Sequence, residues 1–200
     1  MTQAPYVVPM EGERALSTDL KITRDGVSCT DPVWDALNRD PEGALWEAWT
    51  GLPSGKPVYA AELHPERQLI AMESLLCAGC KQEADRNELG MLWVLPVLDH
   101  AEDTVWEGVR TVTPPMCEAC ASEAKLRCPR LREGWVELRV REAELVGVRG
   151  TLHPRPGSNA DPDPDALVLY DSADLPFVVA RGLVRELANV TLVAAGATVS

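Results

Sequence analysis

The sequence predicts an α+β protein organised around a metal centre, and three observations carry that expectation. Two Cys-x-x-Cys pairs, Cys77/Cys80 and Cys117/Cys120, are separated by 36 residues. The stretch "WVELRVRE" (135–142) alternates apolar and charged side chains with the period of a strand. Two segments of helical character, "HPERQLIAMESLLC" (64–77) and "MCEACASEAKLRCPRL" (116–131), each adjoin one of the cysteine pairs.

Taken in order, residues 1–30 show weak periodicity and several turn formers, which predicts irregular or edge structure with Cys29 standing alone near its end. In "ALWEAWTGLPSGKPVYAAEL" two apolar-aromatic runs flank a Gly- and Pro-rich "GLPSGKP", the pattern of a hairpin. Leu69, Met72, Leu75 and Leu76 then recur at helical spacing behind Pro65, which suits a first turn, so a helix delivers the chain into Cys77. "GMLWVLPVL" and "DTVWEGVRTVT" are rich in β-favouring residues around an acidic "DHAED", and they predict a second hairpin. Two prolines stop it, and a short helix carrying Cys120 follows, broken at Pro129.

In "WVELRVRE" the inward set is Val136, Leu138 and Val140, against Glu137, Arg139 and Arg141, and "ELVGVRGTLH" is the expected return strand. "HPRPGSNADPDPDA" has turn formers and is almost devoid of apolar residues, as in a surface loop. It lacks the glycine and distal glutamate of a calcium loop. Beyond it, "ALVLY" predicts a strand, "SADLPFVVARGLVRELAN" a helix capped by Ser172 or Asp174, and "VTLVAA" a last strand, together a parallel β-α-β unit. The expected organisation is an N-terminal segment with a hairpin (1–62), a zinc-centred module (63–153), a loop or linker (154–166) and the C-terminal β-α-β unit (167–200), packed on the zinc module as one domain.

Composition narrows the function classes. The 200 residues, 46% hydrophobic, suffice for a real core, and one Phe against six Trp makes indoles the large anchors, each needing a partner for its N–H. A net charge of −12 argues against a general nucleic-acid binder or a protein held to anionic membranes. The N-terminus lacks a basic then apolar leader, and no run of about 18 apolar residues occurs, which predicts a cytoplasmic protein without a membrane span. In a reducing compartment paired cysteines are metal ligands or catalytic thiols rather than disulfides.

Four thiolates suit one tetrahedral Zn²⁺, and two residues between ligands let one tight turn present both sulfurs. A knuckle, a hairpin and a helix start, in that order, make a treble-clef zinc centre, with the second pair facing the positive end of a helix. The ligand set is therefore Cys77, Cys80, Cys117 and Cys120, holding one structural zinc. A redox reading of "CAGC" or "CEAC" needs a strand before the motif, whereas "CAGC" follows a predicted helix. Two chance pairs of buried cysteines at ligand spacing are improbable. Cys128, eight positions after Cys120, falls on the same helix face two turns on and is assigned to packing, as is Cys29.

The stretches "HPERQLIAMESLLCAGC", "GMLWVLP", "TPPMCEACASEAKLRCPRL" and "VRGTLHPR" resemble a family of uncharacterised cysteine-paired proteins of actinobacterial genomes and their mobile elements. That resemblance implies a zinc-binding module around the four cysteines and brings no activity with it.

For catalysis, a treble clef can carry an HNH nuclease, and Asp99 and His100 lie in the right region. The further His or Asn ligands for a second metal are missing from "CEACASEAKLRC" and from residues 101–116, so His100 is a polar turn residue. His64 and His153 precede prolines without a nucleophile motif. Four cysteines also close the zinc shell, which makes the metal structural. What remains is partner binding. Lys125, Arg127, Arg130 and Arg132 cluster within eight residues, enough for phosphates or an acidic protein face, although basic residues at a helix end also complement its dipole. Trp34, Trp46 and Trp49 suit either an interface or the core. The expected role is a non-enzymatic interaction or regulatory module with a protein partner; the competitors are a degenerate HNH-like nuclease, another enzyme lodged in the C-terminal unit, or a DNA-binding regulator.

Overall fold

A computed structural model describes residues 4–59, 62–97 and 105–197. In chain order, short strands β1 (Glu13–Ala15), β2 (Leu20–Ile22) and β3 (Val27–Cys29) precede helix α1 (Pro32–Leu37), β4 (Leu45–Trp46) and β5 (Trp49–Gly51). Helix α2 (Pro65–Glu73), β6 (Arg86–Asn87), β7 (Gly90–Pro96), β8 (Arg110–Thr111) and α3 (Glu118–Arg127) follow. The chain ends in β9 (Trp135–Leu152), β10 (Asp163–Leu169) and β11 (Val178–Gly196). It is a mixed α+β fold, mostly sheet.

The frame is the antiparallel ribbon of β9 and β11, paired from Val178↔Leu152 to Gly196↔Trp135. At 18 residues, β9 is roughly 60 Å long at about 3.3 Å per residue. One flank of β9 pairs with β7 over its first third (Met91↔Val140 to Pro96↔Trp135), and β10 pairs with its last third. On β11, β8 pairs antiparallel and β4 parallel. Three register shifts, at Ala180/Gly182, Val184/Arg185 and Leu192/Ala194, let so long a ribbon twist without losing its pairing.

Four sequence expectations are corrected here. The segment predicted as a C-terminal helix forms a 3-10 turn at Leu175–Phe177 and then β11, so there is no β-α-β unit. Val178, Ala180, Leu183, Val184 and Leu187 are all buried, and a run buried on both faces has no period to separate strand from helix. The β-branched Val178, Val179, Val184, Val190 and Thr191 decide for the strand. Second, "ELVGVRGTLH" is no return strand but the continuation of β9, because "REAE" (141–144) offers no turn former. Third, no hairpin forms about "GLPSGKP": β5 pairs with β1, and Met10 bridges Pro57. Fourth, β7 and β8 do not pair with each other; β7 lies between β6 and β9, while β8 joins β11.

The helix expected between residues 64 and 77 is α2, with Pro65 in its first turn and Met72 fully buried. It lies on β11 and is fixed there by two buried polar side chains. Gln68 donates to the carbonyls of Val112 (2.8 Å) and Leu183 (2.9 Å) and accepts from the Leu183 N–H (2.9 Å). Arg185 reaches from β11 to the carbonyls of Met72 (2.9 and 2.7 Å) and Glu73 (3.3 Å), the last turn of α2, and also to that of Ala143. It supplies the partners that helix C-terminal carbonyls need when their own turn holds no basic residue.

Helix α3 covers one side of β7, where Leu92 and Val94 pack with Ala121 and Leu131. Met91, Trp93, Leu95, Val136, Leu138 and Leu187 form a separate cluster on the other face. Arg139 and Leu138 are adjacent on β9 and both buried, so the sheet is covered on both faces at this point. On the charged side of the alternation Arg139 is buried and Glu137 half-buried, while Arg141 is exposed. Tryptophan N–H groups find partners as expected: Trp46 to Asp40 (3.0 Å), Trp49 to Glu47 (2.7 Å) and Trp93 to the Thr113 carbonyl (2.9 Å). No described helix is long and apolar enough to cross a membrane.

Candidate metal centre

The first cysteine pair is delivered by the end of α2. Leu75 takes a left-handed conformation (φ 53°) and the Leu76 N–H donates back to the Ala71 carbonyl at 2.9 Å, which turns the chain out of the helix. The Cys77 N–H donates to the Gln82 carbonyl (2.8 Å) and the Lys81 N–H to the Cys77 carbonyl (3.0 Å), with Lys81 also left-handed (φ 62°). This tight loop aims Cys77 and Cys80 the same way. The second pair sits where the prolines end, with Cys117 as N-cap of α3 and Cys120 in its first turn.

The four sulfurs lie within 4.8 Å of one another, and Cys80 and Cys117 Sγ are 3.8 Å apart. Ligands at about 2.3 Å from a tetrahedral ion are separated by about 3.8 Å, so the spacing fits a metal with four sulfur ligands. Cys77 is buried, Cys117 and Cys120 half-buried and Cys80 exposed. Among the described residues no other group of three or more His, Cys, Asp or Glu side chains converges in this way.

Backbone N–H groups support the sulfurs. Gly79 (3.4 Å) and Cys117 (3.2 Å) both donate to Cys77 Sγ, as amides do around thiolates. Burial raises the pKa of Cys77 and of Cys120, where the neighbouring thiols add to it. The Cys117 thiol is lowered: desolvation opposes, but the Cys120 N–H and the hydrogen bonds from the other cysteines outweigh it. A divalent ion held by all four sulfurs would displace their protons.

Two features brace the loop. A Cβ on Gly79 would stand 2.7 Å from both Cβ and Sγ of Cys120, so only glycine lets the first pair approach the helix this closely. Arg139, buried on β9, pairs with Asp85 and reaches Glu118 at 3.4 Å, linking the segment after the first pair to the first turn of α3. Sequence reasoning placed Arg139 on the exposed set. Its carboxylate partners lie five residues after Cys80 and directly after Cys117 in the sequence.

Cys128 is the C-cap of α3 and packs against the cluster of Leu92, Val94, Ala121 and Leu131, outside the sulfur group. Cys29 packs with Val27 and Leu45. The basic cluster does not form one face. Lys125 turns to β9, paired with Glu137 and stacked 4.9 Å from the Trp135 ring; Arg127 pairs with Glu123 at 3.4 Å; Arg130 and Arg132 are exposed. Trp46 is buried, Trp49 half-buried and Trp34 exposed. Asp99 and His100 lie outside the described residues.

The fold and site define a long-stranded sheet protein with four cysteines placed where they could hold a metal ion. Comparison with protein-family models, with curated proteins and with solved structures finds no match to this chain.

Proposed function

We propose that this chain is a non-enzymatic protein built around one structural zinc ion, held by Cys77, Cys80, Cys117 and Cys120 in a treble-clef-like centre, and that it serves in the cytoplasm as a protein-interaction or regulatory module. The observation that carries this reading is the convergence of four sulfurs within 4.8 Å from a tight loop and a helix start. A four-thiolate set favours zinc among the common divalent ions and leaves it no open position for a substrate. The metal's contribution is then to fasten the loop after α2 to the start of α3, joining the helix that packs on β11 to the helix that packs on β7. The resemblance of the cysteine-bearing stretches to the cysteine-paired actinobacterial proteins would imply such a module.

The reading is tested by elemental analysis of protein purified under reducing, chelator-free conditions, where about one zinc per chain is expected. Affinity capture from native cytosol, with the zinc-loaded chain compared against Cys77→Ser, should then recover a protein that depends on the metal. Protein that folds fully without zinc, or hydrolyses DNA with a divalent metal and loses that activity on His100→Ala, would replace this reading by the enzyme one.

A further inference from the structure

The four clustered sulfurs have unequal surroundings. Cys80 alone among them is exposed, Cys117 and Cys120 are half-buried, and Cys77 is buried. Cys77 Sγ also accepts two main-chain N–H bonds, and Gly79 lies so close to Cys120 that a Cβ there would stand 2.7 Å from its Sγ. An oxidant arriving from water therefore meets Cys80 first. Cys117 Sγ is 3.8 Å from it and comes from the other pair, on the other segment. An accessible sulfur with a second sulfur in reach is the arrangement in which a first oxidation step is trapped as a disulfide before it runs on to irreversible products.

We infer that Cys80 and Cys117 are an oxidative modification site, joined in a reversible disulfide by hydrogen peroxide, with release of the ion. Such a switch deepens the regulatory reading above and rests on its zinc. The Cys80 thiolate attacks one peroxide oxygen: the S–O bond forms, the O–O bond breaks and hydroxide leaves, so the sulfur loses two electrons and the peroxide gains them. The Cys117 thiolate then attacks the sulfur of the resulting sulfenic acid; the S–S bond forms, the S–O bond breaks and a second hydroxide leaves. Two protons from the solvent convert both hydroxides to water, so each disulfide consumes one peroxide. Two of four ligands are thereby withdrawn, and Cys77 and Cys120 are too few for a closed tetrahedral shell. A disulfide at an exposed cysteine is of the labile kind that a dithiol of the thioredoxin class reduces. The change also has a route into the fold. The Tyr6 and Val7 N–H groups donate to the carbonyls of Gly79 (2.8 Å) and Ala78 (3.1 Å), and the Lys81 ammonium lies 5.0 Å from the centre of the Tyr6 ring. The N-terminal segment is thus fastened to the loop that carries Cys77 and Cys80, and once Cys77 is freed from the ion that loop loosens and the two amides lose protection.

The test titrates hydrogen peroxide into zinc-loaded, full-length protein while a chromophoric chelator reports free zinc. Thiols and disulfides are mapped by differential alkylation with peptide mass spectrometry, and the Tyr6 and Val7 amides are followed by hydrogen–deuterium exchange. At one equivalent of peroxide the expected result is release of the bound zinc, a Cys80–Cys117 cross-link as the main product, and alkylatable Cys29, Cys77, Cys120 and Cys128. Exchange at Tyr6 and Val7 should quicken, and a dithiol with added zinc should restore the starting state. Cys80→Ser should lose the one-equivalent release and Cys128→Ala should keep it; the cross-link map of the native chain decides the matter if the Cys80 variant takes up no zinc. A main cross-link within either pair, zinc retained while Cys29 or Cys128 is oxidised, a product that dithiol does not reverse, or unchanged exchange at Tyr6 and Val7 would each overturn the inference. Zinc-loaded protein that keeps its ion and its thiols in excess peroxide sinks this inference alone, whereas protein that carries no zinc yet forms the Cys80–Cys117 cross-link sinks the zinc reading and leaves the disulfide standing.

Discussion

Substituting alanine at Gly79 should weaken metal binding and, through it, lower the stability of the metal-loaded chain. The added methyl would lie 2.7 Å from both Cβ and Sγ of Cys120 and 3.7 Å from Cys77 Sγ. An ordinary contact needs about 3.4 Å or more, so Cys120 and the loop must separate by about 0.7 Å, several times the roughly 0.2 Å that metal–ligand distances tolerate. Displacing one of four ligands by that much should lower zinc affinity at least as far as losing an outer-shell partner does, about 100-fold or about 2.7 kcal/mol. The assay is competition for zinc against a chromophoric chelator at constant pH, with Gly43→Ala as control. Gly43 has no atom within 4 Å of its would-be Cβ but a φ of +97°, so that variant should lose about 1–2 kcal/mol of stability and keep wild-type zinc affinity. Gly79→Ala protein that holds zinc as tightly as the parent would refute the argument that the close approach of loop and helix completes the site.

Cys77→Ser should lower stability by several kcal/mol, since metal affinity is part of folding free energy, while Cys128→Ala should keep its zinc; thermal melts with elemental analysis check both. Arg185→Met should cost about 1–3 kcal/mol in urea unfolding by stranding the carbonyls of Met72, Glu73 and Ala143, and an unchanged midpoint would remove the clamp from the account. The pKa of His64 is lowered by burial and then by Arg67, against the pull of Glu13. The unfolded chain therefore takes up a proton as pH falls through about 6.5 while the folded one resists, and the stability present above that pH is lost below it. His64→Gln should flatten this loss between pH 7.5 and 5.5, measured as the difference in urea midpoints from the parent. Finally, Lys125 spends its charge on Glu137 and Trp135, so duplex DNA should bind no tighter than about 10 μM at physiological salt. Submicromolar anisotropy binding, abolished by alanine at Lys125, Arg127, Arg130 and Arg132, would make a DNA-binding regulator the better reading.

The clustering of the four cysteines was legible because its signals are local. Spacing of two residues fixes a loop, Pro65 and the 3.6-residue period fix α2, and the proline pair ahead of Cys117 fixes where α3 begins. The C-terminal third was not, because its structure is set by burial from both sides. The apolar residues of 178–187, interrupted by Arg181, Arg185 and Glu186, fall in an order that serves either a helix face or a strand with no exposed face, and the β9 partner that decides between them is not a neighbour in sequence. The same cause hid Arg139, whose charge places it outside by alternation but whose carboxylate partners, Asp85 and Glu118, come from segments that only the fold brings together.

The grip of Arg185 on α2 also bears on the order in which the molecule assembles. Cys77 and Cys117 are 40 residues apart, whereas Arg185 and Met72 are separated by 113. With the cost of loop closure growing as (3/2)RT ln n, bringing the sulfurs together is cheaper by about 0.9 kcal/mol, and it can be done while the C-terminal strand is still unmade. On a chain emerging from the ribosome, residues 77–120 are free to capture an ion well before β11 exists to seat α2. Metal supply would then act on the nascent chain, with the ion-bound segment, which carries β8, formed before β11 arrives to pair with it.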